Sequence, residues 1–331
     1  MLLSDLRGQN PAVFVLRRAV ERGSFPNAYL FDGPSGVGKE SAALALAQAS
    51  LCPSTPRKGC GKCPVCQRIL HGNHPDVRVF RPRDEGSRNL QVETLRNDVL
   101  RTAQFAPFEG SQAFFIFPEA DVSFPIQHPE SSNALLKTLE EPRRGLTFIL
   151  LSERPERLLV TIRSRCQRLR FGRLPRLVLE HILEQQSVAK PLWDAAIALA
   201  DGRADRMLAL CADGVGNALV EQAVRIDDQL AQGDPGRLVE LSESLAKRDD
   251  LALLLETVAA FYRDVAVRAV GGRRDLCALP QAGDAVEARA RTLSAQAAAD
   301  RVAALGQIPD LLARNANAQM VLDKLWLSLA G

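Results

Sequence analysis

The chain has almost no surplus of either charge: 42 Lys and Arg stand against 39 Asp and Glu in 331 residues, a formal net charge of +3. Bulk electrostatics therefore give no reason to expect a nucleic-acid coat or a membrane surface as partner, and any DNA contact has to be local. No apolar run approaches the roughly 20 residues of a membrane-spanning helix. The first residues also lack the basic, apolar, small-residue order of an export signal, so the expected address is the cytoplasm, with no membrane partner. Fixed-period repeats and low-complexity tracts are missing too, which excludes a solenoid. The seven cysteines are an odd number. Without an export signal that argues against a disulfide framework and for metal binding or free thiols. The length and ordinary apolar share leave room for two or three domains with real cores.

One more absence is a single hydroxyl. Gly33-Pro34-Ser35-Gly36-Val37-Gly38-Lys39 follows an apolar strand, Ala28-Tyr29-Leu30-Phe31, and opens an alanine-rich helix expected over Ser41 to Leu51. In the phosphate-loop pattern the glycines Gly33, Gly36 and Gly38 let backbone N–H groups face phosphate oxygens, and Lys39 supplies a point charge. The next residue should be a Ser or Thr that holds Mg2+, and here it is Glu40. Two unit charges 4 Å apart at an effective dielectric of 20 repel by roughly 4 kcal/mol, so this carboxylate opposes a triphosphate unless it captures the metal itself. Ser41 is no substitute, because one residue along a helix turns the side chain by about 100°. A glycine-rich turn with a solvated lysine is the plainer alternative, and the strand and helix on either side argue against it.

Cys52, Cys60, Cys63 and Cys66 crowd one segment broken by Pro53, Pro56, Gly59, Gly61 and Pro64. Four thiolates on a loop suit tetrahedral Zn2+: the short spacings form knuckles, and the longer gap lets Cys52 close the fourth vertex from the end of the preceding helix. An iron–sulfur cluster would use the same ligands, but nothing else in the sequence suggests electron transfer. His71 and His74 lie just beyond and could replace one cysteine, although a histidine beside Pro75 more often serves a loop. Cys166, Cys211 and Cys277 read as core or free thiols.

Short apolar strands at Tyr29 to Phe31, Val77 to Phe80, Phe114 to Phe117, Thr147 to Leu151 and Gln167 to Phe171 alternate with helical patterns. That alternation predicts an α/β domain with a parallel sheet covered by helices. Helices are expected over Leu90 to Gln104 and over Asn133 to Glu141, the latter stopped by Pro142. After a linker at Gly172 to Pro175 the rest is alanine- and leucine-rich with helical periodicity, broken at Gly202, Gly214, Gly233-Asp234-Pro235, Gly271-Gly272 and Gly283. Leu251 to Leu255 and Met320 to Leu329 read as helix cores. The expected division is 1–171 with the cysteine module at 52–66, a small helical domain at 172–213, and a larger helical domain at 214–331.

Several landmarks then line up in one order: the Lys39 loop, the four-cysteine insertion, Asn133-Ala134-Leu135-Leu136-Lys137-Thr138-Leu139-Glu140-Glu141-Pro142, and Ser164-Arg165-Cys166. Leu6-Arg7-Gly8-Gln9, His74-Pro75-Asp76 and Arg314-Asn315-Ala316-Asn317 extend the match to nearly the full chain. Together they resemble the subunits of the bacterial DNA polymerase III clamp loader, an AAA+ family. The resemblance implies an AAA+ domain with a zinc-binding insertion, a helical lid and an all-α collar that holds subunits in a ring. It also implies gamma/tau and delta subunits, the sliding clamp and primed DNA as partners in replication.

Within that family the gamma and tau motors keep an intact phosphate loop and a paired acidic motif, whereas delta-prime-type subunits have lost parts of both. This chain resembles the second kind. Its second motif reads Phe117-Pro118-Glu119-Ala120-Asp121. Pro118 stands where a metal-orienting Asp belongs and offers neither carboxylate nor N–H. Glu119 matches the residue that polarises water, but a base without a positioned metal gains little. By the same resemblance Arg165 is an arginine finger given in trans to a neighbouring motor, Ser152 matches the polar sensor, and Arg206 falls near the second sensor arginine of the lid. The plain alternatives are a surface ion pair for Arg165 and a strand cap for Ser152. Arg143-Arg144 and the series Arg163, Arg165, Arg168 and Arg170 could favour a phosphate-rich partner, or simply form a solvated face. Structural Zn2+ is expected, with ATP binding left open and hydrolysis by this chain not expected. Two rivals remain: a gamma/tau-like ATPase in which Glu40 or Asp121 rescues the metal, and a stand-alone zinc-dependent nucleic-acid-binding protein.

Overall fold

The computed structural model describes residues 2–81, 95–124, 129–141, 143–313 and 316–330. The chain forms two compact units, Met1–Val178 and Leu179–Gly331. Among the described residues no helix is long and apolar enough to cross a membrane.

Five strands build the first unit: β1 (Ala28–Asp32), β2 (Val77–Val79), β3 (Ala113–Phe117), β4 (Leu146–Ser152) and β5 (Gln167–Arg170). They pair in the order β2-β3-β4-β1-β5, all parallel. This is the α/β architecture that the alternation predicts. Its central strands read as unbroken apolar runs because helices cover both faces, and every residue of β3 and β4 is buried. The edge strand β5 buries only Leu169 and turns Arg168 and Arg170 outward. One core cluster joins Phe115, Phe117, Phe148 and Leu150 of the sheet to Leu95, Val99, Leu135, Leu139, Leu158 and Ile162 from the covering segments. The Phe117 ring lies 5.2 Å from Phe80 and 5.3 Å from Phe124. Aromatic pairs at such spacing add to the 1.5–3 kcal/mol, roughly, that burial of each ring supplies.

The helix after the glycine loop runs Lys39–Leu51, two residues longer than predicted at its start, because Gly38 turns in the left-handed region at φ 96° and releases the chain directly into the first turn. Its alanines Ala42, Ala43, Ala45, Ala47 and Ala49 are all buried, so it lies close under its neighbours. The expected helix at Asn133 begins earlier, at Pro129, since a proline is tolerated in a first turn; Pro142, expected to stop it, lies outside the described residues. Of the helix expected over Leu90 to Gln104, residues 90–94 are outside the described residues. The remainder is a π-helical turn at Leu95–Leu100 followed by a 3-10 turn at Thr102–Gln104. The apolar spacing is still used, with Leu95, Val99 and Ala103 buried, but packing rather than propensity sets the wider turn.

The second unit is helical throughout its described secondary structure. Gly202, Gly214, Gly233 and Gly271, predicted as breaks, all have left-handed backbone. Asp234 caps the helix Pro235–Ala246 by accepting from the Gly236 N–H at 2.9 Å. Leu251, Leu254 and Leu255, and Leu322, Leu325, Trp326 and Leu329, are buried as expected of helix cores. Asp227 of the helix Val215–Gln232 is also buried, and it accepts from Tyr262 Oη and Arg289 Nε, each at 2.8 Å. Of the Arg314-Asn315-Ala316-Asn317 run, Arg314 and Asn315 lie outside the described residues.

Candidate functional site

The strand register assembles the site at the C-terminal edge of the sheet. Asp32 at the end of β1 is level with Ser152 of β4 and Arg170 of β5, and Phe117 of β3 is level with Leu150. The loops that follow these strand ends therefore lie along one edge of the sheet, the edge where parallel α/β sheets hold ligands. Gly33 donates to the Ser152 carbonyl at 3.1 Å, and a Cβ on Gly33 would stand 2.1 Å from the Phe171 carbonyl oxygen. Glycine is thus required at that position by a close approach of two backbones. Gly36 and Gly38 are left-handed, the conformation a curled anion loop needs.

A residue that sequence reasoning passed over ties this loop down. Gln9 is buried; its Nε2 donates to Val37 O at 3.2 Å and Gly172 O at 2.7 Å, while its Oε1 accepts from Gly172 N at 2.9 Å. It belongs to the Leu6-Arg7-Gly8-Gln9 run, which was the only signal available for it. Lys39 is only 9% exposed, and its ammonium donates to the carbonyls of Gly33 and Pro34, each at 2.5 Å. The loop satisfies its own lysine.

Glu40 is met by Arg81, whose guanidinium donates to Oε1 at 2.5 Å. A cation thus neutralises the carboxylate that occupies the magnesium-ligand position. Pro118 is buried at the end of β3, and Glu119 beside it is exposed with left-handed backbone at φ 55°. Asp121, the acid considered as a rescue for the metal, is buried and accepts from Glu153 N at 3.3 Å, which ties the end of β3 to that of β4. Ser152 is buried with its hydroxyl oxygen accepting from Arg154 N at 3.1 Å. Asp32 takes a 2.7 Å hydrogen bond from Arg168 Nε.

Arg165 lies at the other end of the sheet. It precedes Gln167, which is level with Tyr29, whereas the glycine loop follows Asp32, level with Arg170. At about 3.3 Å per residue the strand alone separates these ends by roughly 10 Å. The Arg165 guanidinium donates to the Thr161 carbonyl at 2.9 Å and pairs with Glu140, and its side chain is 34% exposed. The adjacent Cys166 thiol is pushed up to about 12 by burial.

The cysteine module hangs from the far end of the Lys39–Leu51 helix, which at about 1.5 Å per residue puts it roughly 20 Å from the glycine loop. The Sγ atoms of Cys52, Cys60, Cys63 and Cys66 lie within 4.8 Å of one another, with Cys52 and Cys63 at 3.8 Å. A tetrahedron of sulfurs at about 2.3 Å from one metal ion has edges of about 3.8 Å, so the set fits a single ion. Thr55 N donates to Cys52 Sγ and Cys63 N to Cys60 Sγ, each at 3.3 Å, and Cys66 N donates to Cys63 Sγ at 3.5 Å. The backbone N–H groups of Lys62 and Cys63 hold the Cys60 thiol down to about 6, whereas burial pushes Cys66 up to about 12. Neither nearby histidine joins the cluster among the described residues. His71 is exposed, and buried His74 spends Nδ1 accepting from Asp76 N at 3.2 Å. Asp76 in turn accepts the N–H groups of Phe108, Glu109 and Gly110, which pins the loop before β3.

Arg206 belongs to the second unit, where its guanidinium pairs with Glu256. Arg143 donates to the Gln104 carbonyl at 2.5 Å, and Arg144 is exposed. Cys211 is buried, Cys277 is half-buried, and burial raises both thiols.

A parallel sheet whose first strand runs through a glycine-rich loop into a helix, with a cysteine cluster after that helix, defines a phosphate-loop α/β protein. The sequence profile of the family described as "DNA polymerase III, delta subunit" matches residues 8–175, a little over half of the chain, and the chain belongs to that family. DNA polymerase III subunit delta' of Bacillus subtilis is 35% identical over 172 residues, 52% of this chain and 50% of that protein. DNA polymerase III subunit tau of the same organism is 31% identical over 288 residues, 79% of this chain and 49% of that protein. The chain thus spans about half the length of these curated relatives. A solved gamma-subunit-related protein from Thermotoga maritima matches over 96% of this chain and 98% of its own at 16% identity, with a TM-score of 0.45.

Proposed function

We propose that the chain is a delta-prime-type subunit of the DNA polymerase III clamp loader. In this role it does not hydrolyse ATP, lends Arg165 to the nucleotide of an adjacent gamma/tau motor, and with the delta subunit helps place the sliding clamp on primed DNA. The observation that carries this is the division of labour across the sheet. At the loop edge the two metal-holding positions are Glu40, already paired with Arg81, and Pro118. At the opposite edge a partly exposed guanidinium lies too far along the strand to serve its own loop. A guanidinium there suits a phosphate brought by another subunit, because it is always charged and forks onto two oxygens.

The lid at 172–213 and the collar at 214–331 belong to the same proposal, supported by the helical second unit. So do Zn2+ as the ion of the cysteine module and its structural role. Four thiolates converging on one point suit a single tetrahedral ion better than an iron–sulfur cluster, whose ligands spread to separate irons.

The test is reconstitution with motor subunits. Arg165→Ala should leave assembly intact while the site it serves slows about 10³-fold or more, removing that site's share of DNA-stimulated ATP hydrolysis. Unchanged hydrolysis overturns the finger. A motor-type reading has one observation in its favour, the longer match to a tau subunit. ATP turnover by the isolated chain that disappears with Lys39→Ala would establish it; no turnover above that control is expected.

A further inference from the structure

The pairing of Arg165 is itself informative. Its guanidinium is held by two acceptors of its own chain, the Thr161 carbonyl and the Glu140 carboxylate. Both holders are well supported: the Glu140 helix and the Val160–Arg163 turn pack into one core through Leu135, Leu139, Leu158 and Ile162. Glu140 is the last residue of the helix Pro129–Glu140. A carboxylate at a helix C-terminus faces the negative end of the helix dipole, so a local role in that helix does not explain it. A cation across the gap does.

We infer that Glu140 is a positioning residue for Arg165, holding the guanidinium in cis in the free subunit and releasing it to the phosphates of the adjacent subunit's nucleotide. This rests on the trans-acting role proposed above. The pair suits an exchange because neither side chain is buried, with Arg165 34% and Glu140 47% exposed. Exposed ion pairs are weak, worth about a 2- to 5-fold bias in equilibrium. A triphosphate carries more charge than one carboxylate and offers the guanidinium a bidentate partner, so it wins when presented. In its absence Glu140 keeps the arginine from straying or from answering a wrong anion. Glu140 thereby ties finger availability to correct seating of the neighbour.

The experiment has two arms. On the isolated chain, the rate at which phenylglyoxal modifies Arg165, followed by peptide mass spectrometry, should rise about 2- to 5-fold in Glu140→Ala. An unchanged rate overturns the latch. In the reconstituted complex, Glu140→Ala should raise ATP hydrolysis without DNA by a similar factor and leave the DNA-stimulated rate as it was. The increase should vanish when Arg165→Ala is added, since the effect passes through that arginine. A fall in both rates would mean that Glu140 orients the finger instead of withholding it, and would also overturn the proposal. If Arg165→Ala alone leaves hydrolysis unchanged, the finger role fails, while the modification rate still reports whether the pair exists.

Discussion

Gly33 leaves no room for a side chain: its backbone meets Phe171 O where a Cβ would be 2.1 Å away, and neither partner is a movable side-chain tip. Gly33→Ala should therefore lower stability by about 1–3 kcal/mol, read from urea unfolding, as overpacking does elsewhere. The equivalent change at Gly23, where nothing stands within 4 Å of a Cβ, should be milder, although its left-handed backbone still disfavours alanine. The backbone form of the loop was readable in the sequence, because Gly33, Gly36 and Gly38 mark where the chain turns through the left-handed region or passes close to another backbone. What each charge does was not readable. Glu40 is an unfavourable anion in isolation and a neutralised one beside Arg81, 41 residues away. Gln9 had no chemical signature of its own, because a buried amide that braces a loop looks like any other glutamine until Val37 and Gly172 are seen around it.

The helix Lys39–Leu51 is the element that connects two chemistries. Its first turn carries Lys39 and Glu40 and its end delivers Cys52 to the cysteine cluster. Gln48 of the same helix donates to the Cys66 carbonyl at 2.9 Å, and the side chain of Leu51 packs where a Cβ on Gly110 would fall. The cluster therefore fastens the base of the phosphate-loop helix rather than touching its business end. Removing the metal with a chelator, or changing Cys63→Ser, should destabilise the first unit by an amount comparable to a lost crosslink, about 2–5 kcal/mol. Urea unfolding monitored beside a colorimetric zinc-release assay checks this; full retention of stability after metal loss would deny the structural role. At this scale the central strands β1, β3 and β4 were legible because buried parallel strands are continuous apolar runs. The turn at Leu95–Leu100 was not, because its apolar spacing is shared by α and π geometry and only packing onto Leu135 and Leu139 distinguishes them.

At the scale of the whole molecule, each unit has its own means of cohesion. The first depends on stacked phenylalanines across a sheet. The second sets a charged network into a helical core: Asp227 accepts from Tyr262 and Arg289, and Arg301 donates to Tyr262 Oη at 2.9 Å and to the Leu329 carbonyl at 2.6 Å. These residues come from the helices Val215–Gln232, Leu251–Ala269, Gly283–Ala290, Ala295–Gly306 and Ala318–Ala330. Asp227→Ala would leave the guanidinium groups of Arg289 and Arg301, 2.8 and 3.9 Å from its carboxylate, without that counter-charge, and should lower the stability of this unit by about 3–5 kcal/mol in a denaturant titration. Helical periodicity announced the helices but contained nothing about this network.

By itself the sequence determined the parallel α/β unit, the helical remainder, the glycine loop without its magnesium hydroxyl, and a four-cysteine cluster, since each is written in residues close together along the chain. Only the tertiary structure decided which charges meet. Arg165 finds Glu140 across 25 residues and Gln9 finds Gly172 across 163, while parallel strand register sends Arg165 and the glycine loop to opposite edges of one sheet. Local spacing encodes backbone form and the clustering of the cysteines, but ion pairs and the faces on which they lie depend on strand order, and strand order exists only once the chain has folded.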